Sequence, residues 1–166
     1  MTPPKKSGTM STSKREREVT KMTVWFDMDG TIADLYGVEG WLPQLIACNP
    51  APYANAKPLI RLNTLARAIH KVQAQGHRVG IISWLSKNSN PDYDRQVTAA
   101  KKEWLKTHLK SVEWDVINIV PYGTPKQSFC TSVEDILFDD EKPNRDNWTG
   151  VAHDVDNIVG ILKGIA

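Results

Sequence analysis

The feature that most constrains this chain is a pair of acids that directly follows an apolar run. Residues 22–26, Met-Thr-Val-Trp-Phe, predict a buried strand that ends at Asp27 and Asp29. Residues two apart in an extended chain point the same way, so both carboxylates address one point, and Gly30 lets the chain turn away at once. Unpaired buried charge is costly, and a cation that prefers oxygen ligands, such as Mg²⁺, would resolve the repulsion. The pattern therefore predicts a metal-assisted site at the carboxyl end of a buried strand.

Apolar runs alternate with helical patterns along the rest of the chain. The predicted strands are about 23–27, 78–83, 115–120, 135–139 and 151–153. The predicted helices run from Pro58 to Gly76, within about 92–109, near 125–130 and from Val155 to Leu162. Alternation of apolar strands with helices predicts an α/β fold in which a parallel sheet is covered on both faces.

Further polar groups lie where predicted strands end or helices begin. Ser83 ends the second strand, Lys126 opens the short helix, and Asp139 and Asp140 end the fourth strand. Open parallel sheets bind ligands at the carboxyl ends of their strands, so we expect these groups close to Asp27. Lys126 would also compensate the charge of the acids.

The segment Asp27-Met28-Asp29-Gly30-Thr31 (DxDGT) resembles the first motif of the haloacid dehalogenase (HAD) superfamily, chiefly phosphatases with an aspartate nucleophile. Ser83, Lys126 and the Asp139-Asp140 pair follow in the order of the second, third and fourth motifs, and the resemblance covers about residues 22–165. It implies a three-layer, Rossmann-like HAD fold. Its central parallel sheet would have five strands in the order 3-2-1-4-5, and its cap would be minimal.

The resemblance also implies roles for the acids. Asp27 would attack phosphorus and form an aspartyl-phosphate, while Asp29 would protonate the leaving oxygen and later activate water. Mg²⁺ would be held by Asp27, by the backbone carbonyl of Asp29 and by an acid of the fourth motif. We expect Asp140 as the direct ligand and Asp139 behind it or linked through water, although the sequence alone leaves that pair open.

Three further residues are implied to bind the phosphoryl group: Thr31, Ser83 and Lys126. Taken alone, each has an ordinary structural explanation, because a lysine is usually on the surface and a hydroxyl often ends a strand. Their order along the chain relative to DxDGT is what favours the phosphate role.

The cap and the substrate pocket are predicted from the segment before the second strand. Residues 32–57 fit a flap with one short helix, and Tyr36, Trp41 and Trp84 lie beside the motifs, where aromatic rings could stack on a nucleobase. Packing of the flap onto the core would explain the same tryptophans. Either the site is open to bulky substrates, or the flap and a neighbouring subunit of a homo-oligomer close it.

Two segments narrow the resemblance to a subfamily. Residues 101–109 resemble the Lys-x-x-Trp-Val-x-x-x-Leu helix of 5'(3')-deoxyribonucleotidases, and residues 136–144 resemble their Leu-Ile-Asp-Asp-x-x-Pro segment. The chain departs from them in its short cap and in Ser83-Trp84-Leu85, where they have Thr-Ser-Pro. A nucleoside monophosphate is thus the first expected substrate. The alternative is a nucleic-acid end, by similarity to the 3'-phosphatase domain of polynucleotide kinases. A non-catalytic HAD-like binder is disfavoured by the intact acids.

The bulk properties set limits on the protein class. The chain has 166 residues, enough for one domain over about 21–166, and a net charge of only +2, which does not argue for a dedicated nucleic-acid binder. Residues 1–20 are polar and basic and predict a disordered tail. There is no apolar run of membrane-spanning length and no secretory signal, and Cys48 and Cys130 fit free thiols, so a cytoplasmic protein is expected. Base and sugar preference and oligomeric state are left open.

Overall fold

A computed structural model describes residues 21–165, and the predicted disordered tail, residues 1–20, lies outside the described residues. Seven strands and six α-helices follow in chain order: β1 (Thr23–Phe26), β2 (Ala33–Asp34), α1 (Trp41–Ile46), α2 (Ala51–Asn55), β3 (Lys57–Pro58), α3 (Leu62–Ala74), β4 (Arg78–Trp84), α4 (Pro91–His108), β5 (Val116–Val120), β6 (Ile136–Phe138), α5 (Lys142–Asn147), β7 (Val151–His153) and α6 (Ile158–Ile165). Two 3₁₀ helices, Lys126–Phe129 and Val155–Asn157, complete the described chain.

Five of the strands form a central sheet in the order β5-β4-β1-β6-β7, and all of its pairs are parallel. Counted along the chain, this is the predicted order 3-2-1-4-5. β1 is the middle strand, and all four of its residues are buried, because it has neighbours on both edges and covering layers on both faces. The first predicted strand is therefore confirmed in type and position. Its carboxyl end lies in the middle of the edge at which the parallel strands end.

The two faces of the sheet belong to different apolar clusters. One face, with Val24, Phe26 and Ile81, packs with residues of α3, α4 and α6. The other face, with Trp25 and Leu137, packs with residues around α5 and the first 3₁₀ helix. The result is a three-layer arrangement of helices, sheet and helices.

Helix α3 begins later than its sequence pattern predicts. Its buried residues, Leu65, Ala68, Ile69 and Val72, follow the predicted spacing, and the helix ends before Gly76, which has a φ of 89°. The prediction that Pro58 opens this helix is wrong. Pro58 instead pairs with Ala33 in the antiparallel ribbon of β2 and β3.

The flap predicted over residues 32–57 lies within this ribbon. Residues 35–56, between β2 and β3, form the flap in the structure. The flap contains two short helices, α1 and α2, where one was predicted. Its buried residues pack against Leu85, which follows β4, and against Tyr93 and Val97 in the first half of α4. The flap is thus fixed to the body of the fold by its own small apolar cluster. None of the helices within residues 21–165 is both long and apolar enough to cross a membrane.

Candidate active site

Asp27 directly follows β1, and the pairing with β6 continues one residue past the end of the strand, at Asp27. The Asp27 N–H donates to the Phe138 carbonyl over 2.9 Å. The chain then turns back at once, and the Met28 carbonyl accepts hydrogen bonds from the N–H groups of residues 31–33, each over 3.0 Å. Gly30 permits this turn with a φ of 79°. A Cβ at Gly30 would also collide with the Asp140 carboxylate, so the turn and the end of β6 approach each other closely.

Three carboxylates meet at this edge of the sheet. Asp27, Asp139 and Asp140 each present an oxygen within 4.8 Å of the others. Burial, reinforced by the negative charge of Asp27, raises the pKa of Asp139 to about 6 and that of Asp140 to about 8. The cluster therefore holds more negative charge than its surroundings stabilise. An all-oxygen donor set of this kind fits Mg²⁺.

Lys126 lies among these acids. Its buried ammonium donates to Asp27 Oδ1 over 2.9 Å and to Asp139 Oδ2 over 2.6 Å. Burial alone would lower the pKa of Lys126, but the two carboxylates outweigh it and raise the pKa above its ordinary value. The ammonium also lies 5.2 Å from the centroid of the Trp84 ring. Lys126 is thus a fixed positive charge beside Asp27.

The side chains of Thr31 and Asp139 both form hydrogen bonds with other groups of the protein. Thr31 is buried and donates to Asp27 Oδ2 over 2.9 Å, with Asp140 Oδ1 3.4 Å away, so its single proton points at carboxylates. Asp139 accepts on Oδ2 from Asn144 over 3.2 Å and on Oδ1 from the Glu141 N–H over 2.9 Å, besides its bond from Lys126. Both oxygens of Asp139 are therefore occupied by protein donors.

Asp29, the fourth acid expected at the same point, is turned toward a different partner. Its carboxylate Oδ2 accepts from Lys101 Nζ over 2.8 Å. The acid cluster in the described residues therefore has three carboxylates rather than four, because the Lys101 ammonium holds the fourth. Burial raises the pKa of Asp29, Lys101 opposes the rise, and Asp27 adds to it.

Lys101 is a residue of the site that the sequence reasoning did not identify. It is buried on α4, and it also donates to Ser83 Oγ and to the Trp84 carbonyl, each over 2.6 Å. A signal was present, because Lys101 follows Val97 by four residues on the inward stripe of the helix. Ser83 is fully buried, at 0% exposure, in contact with this lysine.

A cavity of about 370 Å³ opens over these groups, and its lining includes Asp27, Asp29, Lys126 and Asp139. Most of its remaining lining is apolar or aromatic: Leu35, Tyr36, Trp41, Leu42, Leu45, Ile46, Tyr53, Trp84, Leu85 and Tyr122. The structure thus brings the three predicted pocket aromatics to one cavity.

The aromatic rings of the cavity form two pairs. Tyr36 and Trp41 lie edge to face on the flap, with centroids 5.0 Å apart. Trp84, the last residue of β4, lies 5.1 Å from Tyr122 on the loop after β5. The Trp84 indole N–H donates to the Thr124 carbonyl over 2.8 Å, which fixes that ring. Tyr122 was not predicted from the sequence, although it lies four residues before Lys126.

No protein-family model matches this sequence, and no curated protein matches it significantly. Several solved structures resemble its fold, among them the following two. A chain of the Pnkp1/Rnl/Hen1 complex matches with a TM-score of 0.51 and 15% identity, over 81% of this chain and 45% of that chain. This protein therefore spans less than half the length of that neighbour. D,D-heptose 1,7-bisphosphate phosphatase from Burkholderia thailandensis matches with a TM-score of 0.50 and 11% identity, over 87% of this chain and 97% of the other.

At sequence identities this low, the structural likeness establishes the fold and nothing beyond it. Together with the sheet order and the three layers, the likeness confirms the predicted Rossmann-like HAD fold. Within that fold, the carboxylates of Asp27 and Asp139 and the buried ammonium of Lys126 meet in the lining of one cavity.

Proposed function

We propose that this protein is a Mg²⁺-dependent phosphomonoester hydrolase of the HAD type, which acts through an aspartyl-phosphate on Asp27. The observation that supports this most strongly is the position of Asp27. Its carboxylate lies on the cavity floor, is held by Thr31 and Lys126, and belongs to an acid cluster suited to a divalent cation. The solved neighbour that is a phosphatase supports the same class at the level of fold.

A phosphate monoester is a dianion, so an anionic nucleophile needs positive charge around the phosphoryl group. Mg²⁺ held by Asp27, Asp140 and the backbone carbonyl of Asp29 would neutralise the nucleophile and the phosphoryl oxygens. The protein donors on both oxygens of Asp139 support Asp140, rather than Asp139, as the direct ligand. Lys126 donates two protons to carboxylates, and its third proton is available to a phosphoryl oxygen.

The reaction has two displacements. In the first, Asp27 attacks phosphorus while the bond to the ester oxygen breaks, and Asp29 gives that oxygen a proton. In the second, water attacks the aspartyl-phosphate and Asp29 takes its proton, so that inorganic phosphate leaves and the Asp27 carboxylate is regenerated. The raised pKa of Asp29 supports its role as a proton donor in the first displacement.

A nucleoside monophosphate is the substrate class that best fits the cavity. The phosphate would meet Asp27 and Lys126, and the base would lie against the rings of Tyr36, Trp41 and Trp84. Stacking of one base on an aromatic ring contributes ~1–3 kcal/mol. A sugar phosphate would leave this apolar wall without a partner. Thr31 and Ser83, both buried in the described structure, would act on the phosphoryl group through reorientation of their hydroxyls on binding.

One finding favours a second candidate, the 3'-phosphate at a polynucleotide end. A chain of the Pnkp1/Rnl/Hen1 complex shares this fold, which agrees with the resemblance of the sequence to the 3'-phosphatase domain of polynucleotide kinases. The outer rings of the cavity, Tyr36 and Tyr122, are also about half exposed, at 46% and 53%, so a longer chain could extend past them.

The experiment that tests the proposal is a phosphate-release assay over nucleoside 5'- and 3'-monophosphates, 3'-phosphorylated oligonucleotides and sugar phosphates, with Mg²⁺ or with EDTA. We expect turnover of nucleoside monophosphates that EDTA abolishes and Mg²⁺ restores. Full activity in EDTA would contradict the metal dependence. A preference for oligonucleotides would select the second candidate, and a preference for sugar phosphates would exclude both nucleotide substrates.

A further inference from the structure

Two buried lysines contact the candidate site, and they use their protons differently. An ammonium has three donors and no acceptor. Lys126 lines the cavity and donates to two carboxylates, which leaves one proton for a ligand. Lys101 donates to Asp29, to Ser83 and to the Trp84 carbonyl, so all three of its protons are used within the protein. Lys101 therefore has no proton left to donate to a substrate.

The bonds of Lys101 determine what its partners can do. Asp29 Oδ2 is held at 2.8 Å by the Lys101 ammonium, and Asp29 is not part of the cluster that Asp27, Asp139 and Asp140 form in the described residues. Ser83 Oγ must be the acceptor of its 2.6 Å bond, because an ammonium only donates. The hydroxyl proton of Ser83 is therefore directed to another acceptor. Under the proposed function, this acceptor would be an oxygen of the phosphoryl group on Asp27.

Lys101 is also almost completely buried, and it contacts three different parts of the fold. It is 1% exposed, and its ammonium lies 4.8 Å from the centroid of the Tyr53 ring. Tyr53 belongs to α2 of the flap, while Ser83 and Trp84 belong to β4. One side chain thus links the flap, the end of the second sheet strand and the acid after β1.

We infer that Lys101 is a positioning residue: it orients the Asp29 carboxylate for proton transfer and the Ser83 hydroxyl for donation, and it does not contact the phosphoryl group. This inference depends on the proposed phosphatase function. It assigns the two lysines separate tasks, with Lys126 at the phosphoryl group and Lys101 behind Asp29.

The first test compares Lys101→Met with Lys102→Met, a matched loss of one charge at the exposed next residue of the same helix. Kinetics are measured on the best alkyl-ester substrate of the panel and on p-nitrophenyl phosphate, whose leaving group needs little protonation. We expect Lys101→Met to lower kcat on the alkyl ester by at least ~10²-fold, the usual contribution of a positioned acid or base. We expect a loss at least tenfold smaller on p-nitrophenyl phosphate and KM within a few-fold on both. Lys102→Met should match wild type.

Kinetics of Lys101→Met equal to those of Lys102→Met, or equal losses on both substrates, would overturn the inference while leaving the phosphatase proposal intact. A raised KM with an unchanged kcat would also overturn it, because that result marks a residue that binds substrate. A wild-type enzyme that releases no phosphate from any ester would instead remove the proposed function, and this inference with it.

A second test does not depend on the folding of a variant. It is a crystal structure of the wild-type protein with Mg²⁺ and fluoroberyllate, which mimics a phosphoryl group on an aspartate. Lys101 Nζ should stay in hydrogen-bond contact with Asp29 and Ser83, and the fluorides should be contacted by Lys126 and Ser83. A hydrogen bond from Lys101 Nζ to a fluoride would overturn the inference.

Discussion

Strand β6 carries a buried acid at each end, and the two are stabilised in different ways. Asp135 precedes the strand and accepts from the Thr23 N–H over 2.9 Å, from the Thr131 N–H over 2.9 Å and from the Thr131 hydroxyl over 3.1 Å. Asp139 follows the strand and depends on the Lys126 ammonium, with Asp27 and Asp140 close by.

At the amino end, neutral donors satisfy one isolated carboxylate, and the bonds join β6 to β1 and to the preceding loop. At the carboxyl end, three carboxylates are crowded together although the sheet does not require them there. Lys126 supplies one positive charge for three carboxylates, and burial of like charges without full compensation is unfavourable. We interpret the acid at the amino end as a structural residue, and under the proposed function the acids at the carboxyl end take part in the reaction.

The largest effect should follow from Asp27→Asn, which keeps the shape of the side chain and removes the attacking charge. We expect kcat/KM to fall by at least ~10³-fold, or about 4 kcal/mol of barrier, with little loss of melting temperature in EDTA because one repelling charge is gone. Fluoroberyllate should bind the wild type and not the variant. A variant with a tenth of wild-type activity would contradict the assignment of the nucleophile.

At the other end of β6, Asp135→Ala should act on stability rather than on turnover. It leaves the buried Thr23 N–H without its acceptor, and we expect the free energy of unfolding to fall by about 3 kcal/mol in urea titrations. The neighbouring, exposed Glu134→Ala is the control and should be near neutral. Unchanged stability in Asp135→Ala, or a lower kcat in the folded fraction, would contradict the assignment of Asp135 to stability and of the acids at the other end of β6 to turnover.

A smaller effect is expected from Trp41→Ala on the flap. Loss of one stacking ring should raise KM for nucleoside monophosphates by an amount equivalent to ~1–3 kcal/mol. KM for p-nitrophenyl phosphate should change less, since that ester needs mainly the phosphate site. Equal changes for the two substrates would mean that Trp41 supports the flap and does not contact the base.

The smallest effect concerns pH. The pKa of Asp140 is raised to about 8, so below that pH a proton competes with Mg²⁺. We expect Mg²⁺ affinity, measured by calorimetry, to rise by up to about tenfold per pH unit between pH 6 and 8. In EDTA the sign for stability is opposite. A carboxyl whose folded pKa exceeds its unfolded value stabilises the fold at low pH, and this contribution is lost as pH rises through about 8.

Asp140→Asn is the control, and both pH dependences should be weaker in it. A Mg²⁺ affinity in the wild-type protein that does not change over this range would show that Asp140 is already ionised before the metal binds.

The features that the sequence could predict are those that depend on local pattern. The run before Asp27, the strand before Asp139 and the inward stripe of α3 each follow one periodicity, so their positions could be expected. The sheet order was expected from the resemblance to the HAD superfamily. The helix start at Pro58 could not, because its pairing with Ala33 joins residues distant in the chain.

The functions of buried polar residues were harder to predict. The inward stripe of α4 places Lys101 on the buried face, but the atoms that the buried Lys101 and Asp135 contact could not be predicted from the sequence. The separation of Asp29 from the other three acids likewise depends on a lysine 72 positions further along the chain. Sequence order placed the motif residues at one sheet edge, but only long-range contacts decide which pairs form.

The ribbon of β2 and β3 has a consequence for how this protein could diversify. Ala33 and Asp34 pair with Pro58 and Lys57, so the flap leaves and re-enters the fold at one place. The entropic cost of a longer loop grows only slowly once its ends are joined. Insertions between those strands would therefore alter what enters the cavity while β1, β4 and β6 keep their register. The ribbon makes substrate choice separable from catalysis, so one could be exchanged without rebuilding the other.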